Sequence, residues 1–238
     1  MTRPALVAAS HGTSSPEGRA AVAALVDAVR EAAGPDAEVI DAFVDVQQPD
    51  VASVLDAIGA DDGRAAVIVP LLLSAGYHVH VDLADEARDR PATVTGALGP
   101  DDRLVDVLVA RLVESGLRRD DRVVLATAGS SDARAVDDCR DTGRRLAARL
   151  GRPVGVGFLS AARPTVADAV ARTRATHPVS RVVVASYLLA PGYFHDLAAA
   201  AGGDVTTAPL LRVDAAPPAA LVDLVLDRYA EAALSPAA

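Results

Sequence analysis

Two histidines and one aspartate are the side chains of this sequence best suited to chemistry. His11 follows an apolar run at residues 5–9, Asp45 lies at the end of a second apolar stretch, and His78 follows a third. Two imidazoles and a carboxylate form a ligand set that suits a borderline divalent ion such as Fe²⁺, Co²⁺ or Zn²⁺. Together these three side chains would form an open metal site.

Alternatives exist for two of these ligands. His80 competes with His78 for the role of metal ligand. Residues two apart do not lie on the same face of a helix, so we expect one of the two to be the ligand. His78 is nearer to Gly76 at the strand end, so we predict that His78 is the ligand and that His80 is exposed. Asp45 has an alternative role as a solvated acid at the end of a strand.

Small residues surround the histidines and predict an anion-binding wall. Ser10 and Gly12 flank His11, and Ser74 and Gly76 precede His78. Such loops allow backbone N–H groups to approach an anionic ligand. Arg163 follows a later strand, and we expect it to point into the same cleft, where it would pair with a carboxylate of the substrate.

Short apolar runs alternate with stretches of helical periodicity along the whole chain, which predicts parallel sheets covered by helices. The predicted strands are 5–9, 39–46, 66–72, 92–95, 123–126, 154–159, 181–187 and 205–207. The predicted helices are 16–33, 49–58, 81–88, 101–114, 131–150, 165–176, 196–201 and 218–232.

The chain also repeats itself. Residues 9–14 align with 126–131, and residues 73–77 align with 189–193, at offsets of 117 and 116. Two landmarks with nearly equal offsets indicate a duplication. We therefore predict an α/β fold of two similar lobes, residues 1–117 and 118–238, each a four-stranded parallel sheet flanked by helices.

A strand order of 2-1-3-4 would place His11 and His78 across the point where the order reverses, which is where open parallel sheets bind ligands. The second lobe has Ala128 and Phe194 at the matching positions, with His195 beside the latter. We expect the first lobe to carry the reactive centre and the second to cover it. His195 has two alternative roles, in a proton relay with Asp196 or at a helix start.

Composition excludes several classes of function. The 238 residues carry a net charge of −9, and all 23 basic residues are Arg, so chemistry that needs a Lys is excluded. A chain this acidic is a poor partner for nucleic acid or an anionic membrane surface. The single cysteine, Cys139, forms no internal disulfide, and no apolar run is long enough to cross a bilayer. We expect a soluble, cytoplasmic protein.

Three ordered motifs resemble those of the sirohydrochlorin chelatases, the class II tetrapyrrole chelatases in their long, two-lobed bacterial form. They are the segments 8–12, 43–49 and 70–82. The resemblance implies that His11 and His78 bind the metal and handle protons in a cleft between the lobes. The family commonly has Glu where this chain has Asp45, whose shorter side chain reaches less far.

The expected function is therefore insertion of Fe²⁺ into sirohydrochlorin, with the divalent metal as a substrate and no organic cofactor. Insertion of Co²⁺ on the way to cobalamin is an alternative, because the same ligands serve either ion. A metal or tetrapyrrole carrier without catalysis is a further alternative. A serine hydrolase is disfavoured, since no Gly-x-Ser-x-Gly motif occurs. One chain supplies both walls of the cleft, which favours a monomer.

Overall fold

The fold is taken from a computed structural model, which describes residues 3–35, 37–74, 76 and 82–234. Its first half contains β1 (Ala5–Ser10), α1 (Pro16–Ala33), β2 (Val39–Phe43), α2 (Val51–Asp62), β3 (Ala66–Pro70), α3 (Leu83–Ala87), β4 (Ala92–Val94) and α4 (Asp102–Glu114). Its second half contains β5 (Arg122–Thr127), α5 (Ala133–Leu150), β6 (Val154–Phe158), α6 (Val166–Thr176), β7 (Val182–Tyr187), α7 (Tyr193–Ala199), β8 (Val205–Thr206) and α8 (Ala219–Ala233).

The strands form two parallel sheets of four, in the orders β2-β1-β3-β4 and β6-β5-β7-β8. The second order is the first repeated, so the duplicated α/β fold predicted from the sequence is confirmed. In each sheet the first and third strands are neighbours, and the strand order reverses beside them. In the part of the chain that the structure describes, no helix has both the length and the apolar character needed to cross a membrane.

Local sequence explains why the elements form where they do. The side chain of Ser15 accepts a hydrogen bond from the backbone N–H of Gly18, and Pro16 occupies the first position of α1. Gly34 ends that helix at a φ of 70°, which favours glycine. The central strand β1 is buried at every position, which its uninterrupted run of small and aliphatic residues predicts.

The last helix of each repeat packs against the other repeat. Helix α4 follows the first sheet in sequence but contacts β7 and α5, whereas α8 contacts β3 and α1. One hydrophobic core therefore includes residues of both sheets and of both exchanged helices, among them Leu6, Leu112, Leu125 and Leu224. Burial of such side chains is the main favourable contribution to folding, and here the two repeats share it.

Hydrogen bonds fix the exchanged helices to the chain they reach. In α4, the buried guanidinium of Arg111 donates to the carbonyl oxygens of Pro209 and Leu210, at 3.0 and 2.7 Å. In α8, the hydroxyl of Tyr229 donates to the carbonyl of Pro4 at 2.7 Å. The division into lobes at residues 117 and 118 stays a prediction. It describes the sequence repeat, and the helices α4 and α8 pack across it.

Most predicted elements differ from the observed ones only at their ends, but α7 starts earlier than expected. The sequence predicts a helix over 196–201, with Asp196 in its first turn. The observed helix begins at Tyr193, because the backbone N–H groups of His195 and Asp196 both donate to the carbonyl of Gly192. The difference matters, because it places two aromatic side chains on the first turn of a helix.

The shared core predicts one cooperative unfolding transition. We expect Leu112→Ala, which removes a fully buried side chain of α4, to lower the free energy of unfolding by about 2–5 kcal/mol. Urea denaturation followed by circular dichroism measures this. The control is Val113→Ala on the same helix, whose side chain is 67% exposed and whose effect we expect to stay within about 0.5 kcal/mol.

A second outcome of the same titration concerns cooperativity. We expect the single transition to shift as a whole in Leu112→Ala, since both sheets depend on this core. Two separate transitions, of which only one shifts, would show that the repeats unfold independently and would contradict the shared core.

Candidate functional site

A cleft of about 870 Å³ lies between the two lobes at the carboxyl ends of their central strands. The segments after β1 and β3 form one wall, and those after β5 and β7 form the other. Its volume lies towards the upper end of the range for small-molecule sites in proteins, which is about 300–1,000 Å³. The cleft can therefore hold a large ligand, and both repeats contribute to its walls.

His11 lines this cleft directly after β1 and is exposed to it. The next residue, Gly12, has a φ of 87°, a conformation that side chains with a Cβ rarely adopt. The chain then turns towards α1, and the backbone N–H of Thr13 donates to the side-chain carbonyl of Gln47 at 2.9 Å. The loop that carries His11 is thus held by the loop that follows β2.

Asp45 contacts the loop that carries His11 through a backbone hydrogen bond. Its N–H donates to the carbonyl of His11 at 3.3 Å, and the N–H of Val44 donates to the carbonyl of Ser10 at 2.9 Å. The Asp45 residue is exposed, and it is not among the described residues that line the cleft. A metal-binding role for its carboxylate stays a prediction.

The second predicted ligand, His78, lies outside the described residues, as does His80. Of the residues before them, Ser74 and Gly76 line the cleft, and their role in substrate binding stays a prediction. Within residues 3–35, 37–74, 76 and 82–234, no three His, Cys, Asp or Glu side chains are grouped so that they could hold a metal ion. Pairing of His11 with His78 stays a prediction.

Arg163 does not point into the cleft, contrary to the expectation from sequence. It lines a separate cavity of about 400 Å³ beside β6, and its side chain is 80% exposed. Its guanidinium lies 3.4 Å from the carboxylate of Asp168. Arg163 lies at the expected end of a strand, but tertiary packing decides which side of its loop faces the first lobe, and the sequence does not show this.

Arg19 lies in the cleft instead. It is exposed on the first turn of α1, and its guanidinium donates to the carbonyl of Ser14 at 3.3 Å. No described carboxylate forms an ion pair with it, whereas Asp41, the acid that also lines the cleft, lies 3.9 Å from Arg30. Its position four residues after the Ser15 cap is the signal that sequence reasoning missed, since the start of a helix after β1 must lie at this edge of the sheet.

Two buried titratable side chains that line the cleft, Cys139 and Tyr187, are neutral. Burial raises the pKa of the Cys139 thiol and of the Tyr187 phenol, so both are protonated at neutral pH. The hydroxyl of Tyr187 donates to the carbonyl of Leu73 at 3.0 Å, which joins the second sheet to the first-lobe wall. These two side chains thus add no charge to the cleft.

The wall from the second lobe has the same backbone geometry without the histidine. Gly129 repeats the φ of 87° found at Gly12, and the N–H of Ser160 donates to the carbonyl of Ala128, as that of Asp45 does to His11. His195 is not among the described lining residues. Its Nδ1 lies 3.2 Å from the hydroxyl of Ser186, and burial lowers its pKa. Roles for His195 in proton transfer stay untested predictions.

Comparison with known proteins gives a curated relative and several solved structures. The sirohydrochlorin ferrochelatase of Priestia megaterium is 28% identical over 160 residues, which are 63% of this chain and 60% of that protein. The matched region thus spans about three fifths of the relative's length.

Two solved structures share the fold over nearly their whole length. SirB from Bacillus subtilis with Fe³⁺ superposes with a TM-score of 0.79 at 19% identity, covering 98% of this chain and 96% of that one. The sirohydrochlorin chelatase SirB from Bacillus subtilis subspecies spizizenii, in complex with cobalt, gives 0.73 at 18% identity, covering 98% and 97%.

The family model described as CbiX matches the chain twice, over residues 5–115 and 122–231. The two matches coincide with the two sheets and together cover nearly the whole sequence. The chain therefore belongs to the CbiX family, which confirms the family that its three motifs predicted.

Proposed function

We propose that this protein is a chelatase that inserts a divalent metal ion into sirohydrochlorin, with Fe²⁺ as its physiological metal. The observation that carries the proposal is a cleft of about 870 Å³ between two lobes, with His11 exposed on its wall. Membership of the CbiX family and the likeness to a sirohydrochlorin ferrochelatase support the choice of substrate.

The reaction makes three demands on the site. The metal must lose its waters, it must reach the ring, and two pyrrole N–H protons must leave as the metal–nitrogen bonds form. Neutral imidazole can ligate a metal and also accept a proton, which suits His11 to the first and third of these steps. A ligand set that stays open on one side allows the ion to leave for the ring, whereas a closed cage of four ligands holds it.

The substrate also needs positive charge, because sirohydrochlorin is a polycarboxylate and the protein is acidic overall. Arg19 is the described cation that lines the cleft, so we assign to it the role that the sequence gave to Arg163. A guanidinium that none of the described carboxylates pairs with can form a bidentate pair with a substrate carboxylate. Its electrostatic effect is local to the cleft and independent of the net charge.

Co²⁺ is the second candidate metal. One structural neighbour was solved with Fe³⁺ and another with cobalt, and the ligand chemistry of an imidazole pair serves either ion. A carrier that binds metal or tetrapyrrole without turnover is the remaining alternative from another class. Metalation assays separate all three.

We expect the purified protein to metalate sirohydrochlorin catalytically, and His11→Ala and His78→Ala to lower kcat by about 100-fold or more, because each removes a metal-binding and proton-accepting group. His80→Ala is the matched control, for which we expect near wild-type activity. Anaerobic assays with Fe²⁺ and with Co²⁺, followed by the absorbance of the ring, measure this.

The outcomes of that assay separate the hypotheses. An inactive His80→Ala variant together with a normal His78→Ala variant would show that His80, and not His78, is the metal ligand. Stoichiometric binding without turnover would identify a carrier. No metalation by the wild-type protein with either ion would overturn the chelatase proposal.

For Arg19 we expect a change in substrate affinity. Arg19→Ala should raise KM for sirohydrochlorin about tenfold with a smaller change in kcat, because the guanidinium is assigned to a carboxylate of the substrate and has no part in metal transfer. Arg163→Ala is the matched control, since it removes an exposed arginine from outside the cleft, and we expect its KM to be unchanged. Equal effects of the two substitutions, or an effect of Arg163→Ala alone, would contradict the reassignment.

A further inference from the structure

Tyr193 and Phe194 are the exposed aromatic side chains of the described chain. Tyr193 is 71% exposed and Phe194 is 37% exposed, whereas Phe158, Tyr187 and Tyr229 are buried. The two rings form an edge-to-face pair, with centroids 5.8 Å apart and planes inclined by 63°. An exposed apolar pair in a chain with 3% aromatic residues needs an explanation beyond folding.

Both rings lie in the wall of the cleft. They occupy the first turn of α7, directly after Gly192, whose Cα lies against Thr13 and Ser15 of the first lobe, where an added Cβ would meet their side chains at 3.5 and 3.4 Å. An added Cβ on Gly18 of α1 would lie only 2.5 Å from the carbonyl of Pro191. The two lobes thus touch beside the aromatic pair, which places the pair at an edge of the cleft.

The helix that carries the pair is held by the sheet beneath it. The imidazole of His195 lies 3.2 Å from the hydroxyl of Ser186, which is fully buried in β7. The backbone N–H of Ser186 in turn donates to the hydroxyl of Thr207 at 3.0 Å. This contact joins the first turn of α7, which carries the two rings, to β7.

We propose that Tyr193 and Phe194 form a binding surface for the apolar face of a planar macrocycle. Aromatic rings pack well against flat conjugated surfaces, and they lose little conformational freedom when they do so. Arg19 lies on the first turn of α1, whose start contacts the start of α7. The edge of the cleft thereby combines rings for the face of a macrocycle with a guanidinium for a carboxylate at its periphery.

The inference rests on the proposed function for the identity of the ligand. The occupant is a macrocycle rather than a second copy of the chain, because the rings line the same cleft as Arg19. In this interpretation the second lobe covers the first and also binds the face of the macrocycle. At the positions of the first-lobe Tyr77 and His78, it has an aromatic pair.

The test is a titration of metal-free uroporphyrin, a planar octacarboxylate tetrapyrrole, followed by quenching of its fluorescence. The double variant Y193L/F194L keeps apolar side chains but removes the flat rings, and we expect its Kd to be about tenfold higher than that of the wild type. The variant Y193F/F194Y keeps both rings, and we expect its Kd to match the wild type. Val179→Ala, a 97% exposed apolar position outside the cleft, is the control and should leave Kd unchanged.

Two further measurements show whether the double variant has lost metal binding or stability as well as affinity for the ring. Co²⁺ binding by the double variant, measured by absorbance, should equal that of the wild type, since the rings are not ligands. The Tm of the double variant should stay within about 2 °C of that of the wild type, because both substituted side chains are exposed.

The outcomes distinguish this inference from the proposed function. If the wild type metalates sirohydrochlorin and Y193L/F194L binds uroporphyrin with an unchanged Kd, the aromatic surface is wrong and the chelatase proposal stands. If the wild type neither binds nor metalates a tetrapyrrole, both are overturned. If the double variant converts a dimeric wild type into a monomer without a change in Kd, the rings are a contact between copies and the inference is overturned.

Discussion

The site depends on the exchange of the last helix between the two repeats. Helix α4 packs on the second sheet and α8 on the first, and a single hydrophobic core results. Because neither sheet can bury its inner face without the other repeat, the two lobes are held at a defined separation. The packing of this core therefore sets the width of the cleft. That width is well defined because protein interiors are packed as densely as organic crystals and deform little.

Duplication followed by divergence explains how an acidic chain can have a polar, chemically asymmetric cleft. The backbone at Gly12 and Gly129 is the same, and the hydrogen bonds around them match. Only the first copy places a histidine next to that glycine, and the second has Ala128. One wall thus carries groups suited to metal and proton chemistry, while the other offers aromatic and neutral surface. A net charge of −9 does not oppose an anionic ligand when Arg19 lies at the cleft itself.

Much of the fold was predictable because its signals are local. The bounds of α1 follow from Ser15, Pro16 and Gly34, and the strands follow from their apolar runs. The start of α7 was not predictable from such signals, because its N-cap, Gly192, has no side chain that could form a capping hydrogen bond. The place of His11 at the carboxyl end of β1 was predictable from the strand itself. The pairing of His11 with a second ligand rests on sequence alone.

The sequence by itself determined the duplicated α/β fold, the family, and the strand ends at which small residues and His11 occur, because periodicity and spacing act over a few residues. Only the tertiary structure decided which helices cover which sheet, and that Arg19 rather than Arg163 lines the cleft. It also decided that Tyr193 and Phe194 lie in the wall. The direction of a side chain at a strand end depends on packing between residues far apart in sequence, and no local pattern records that.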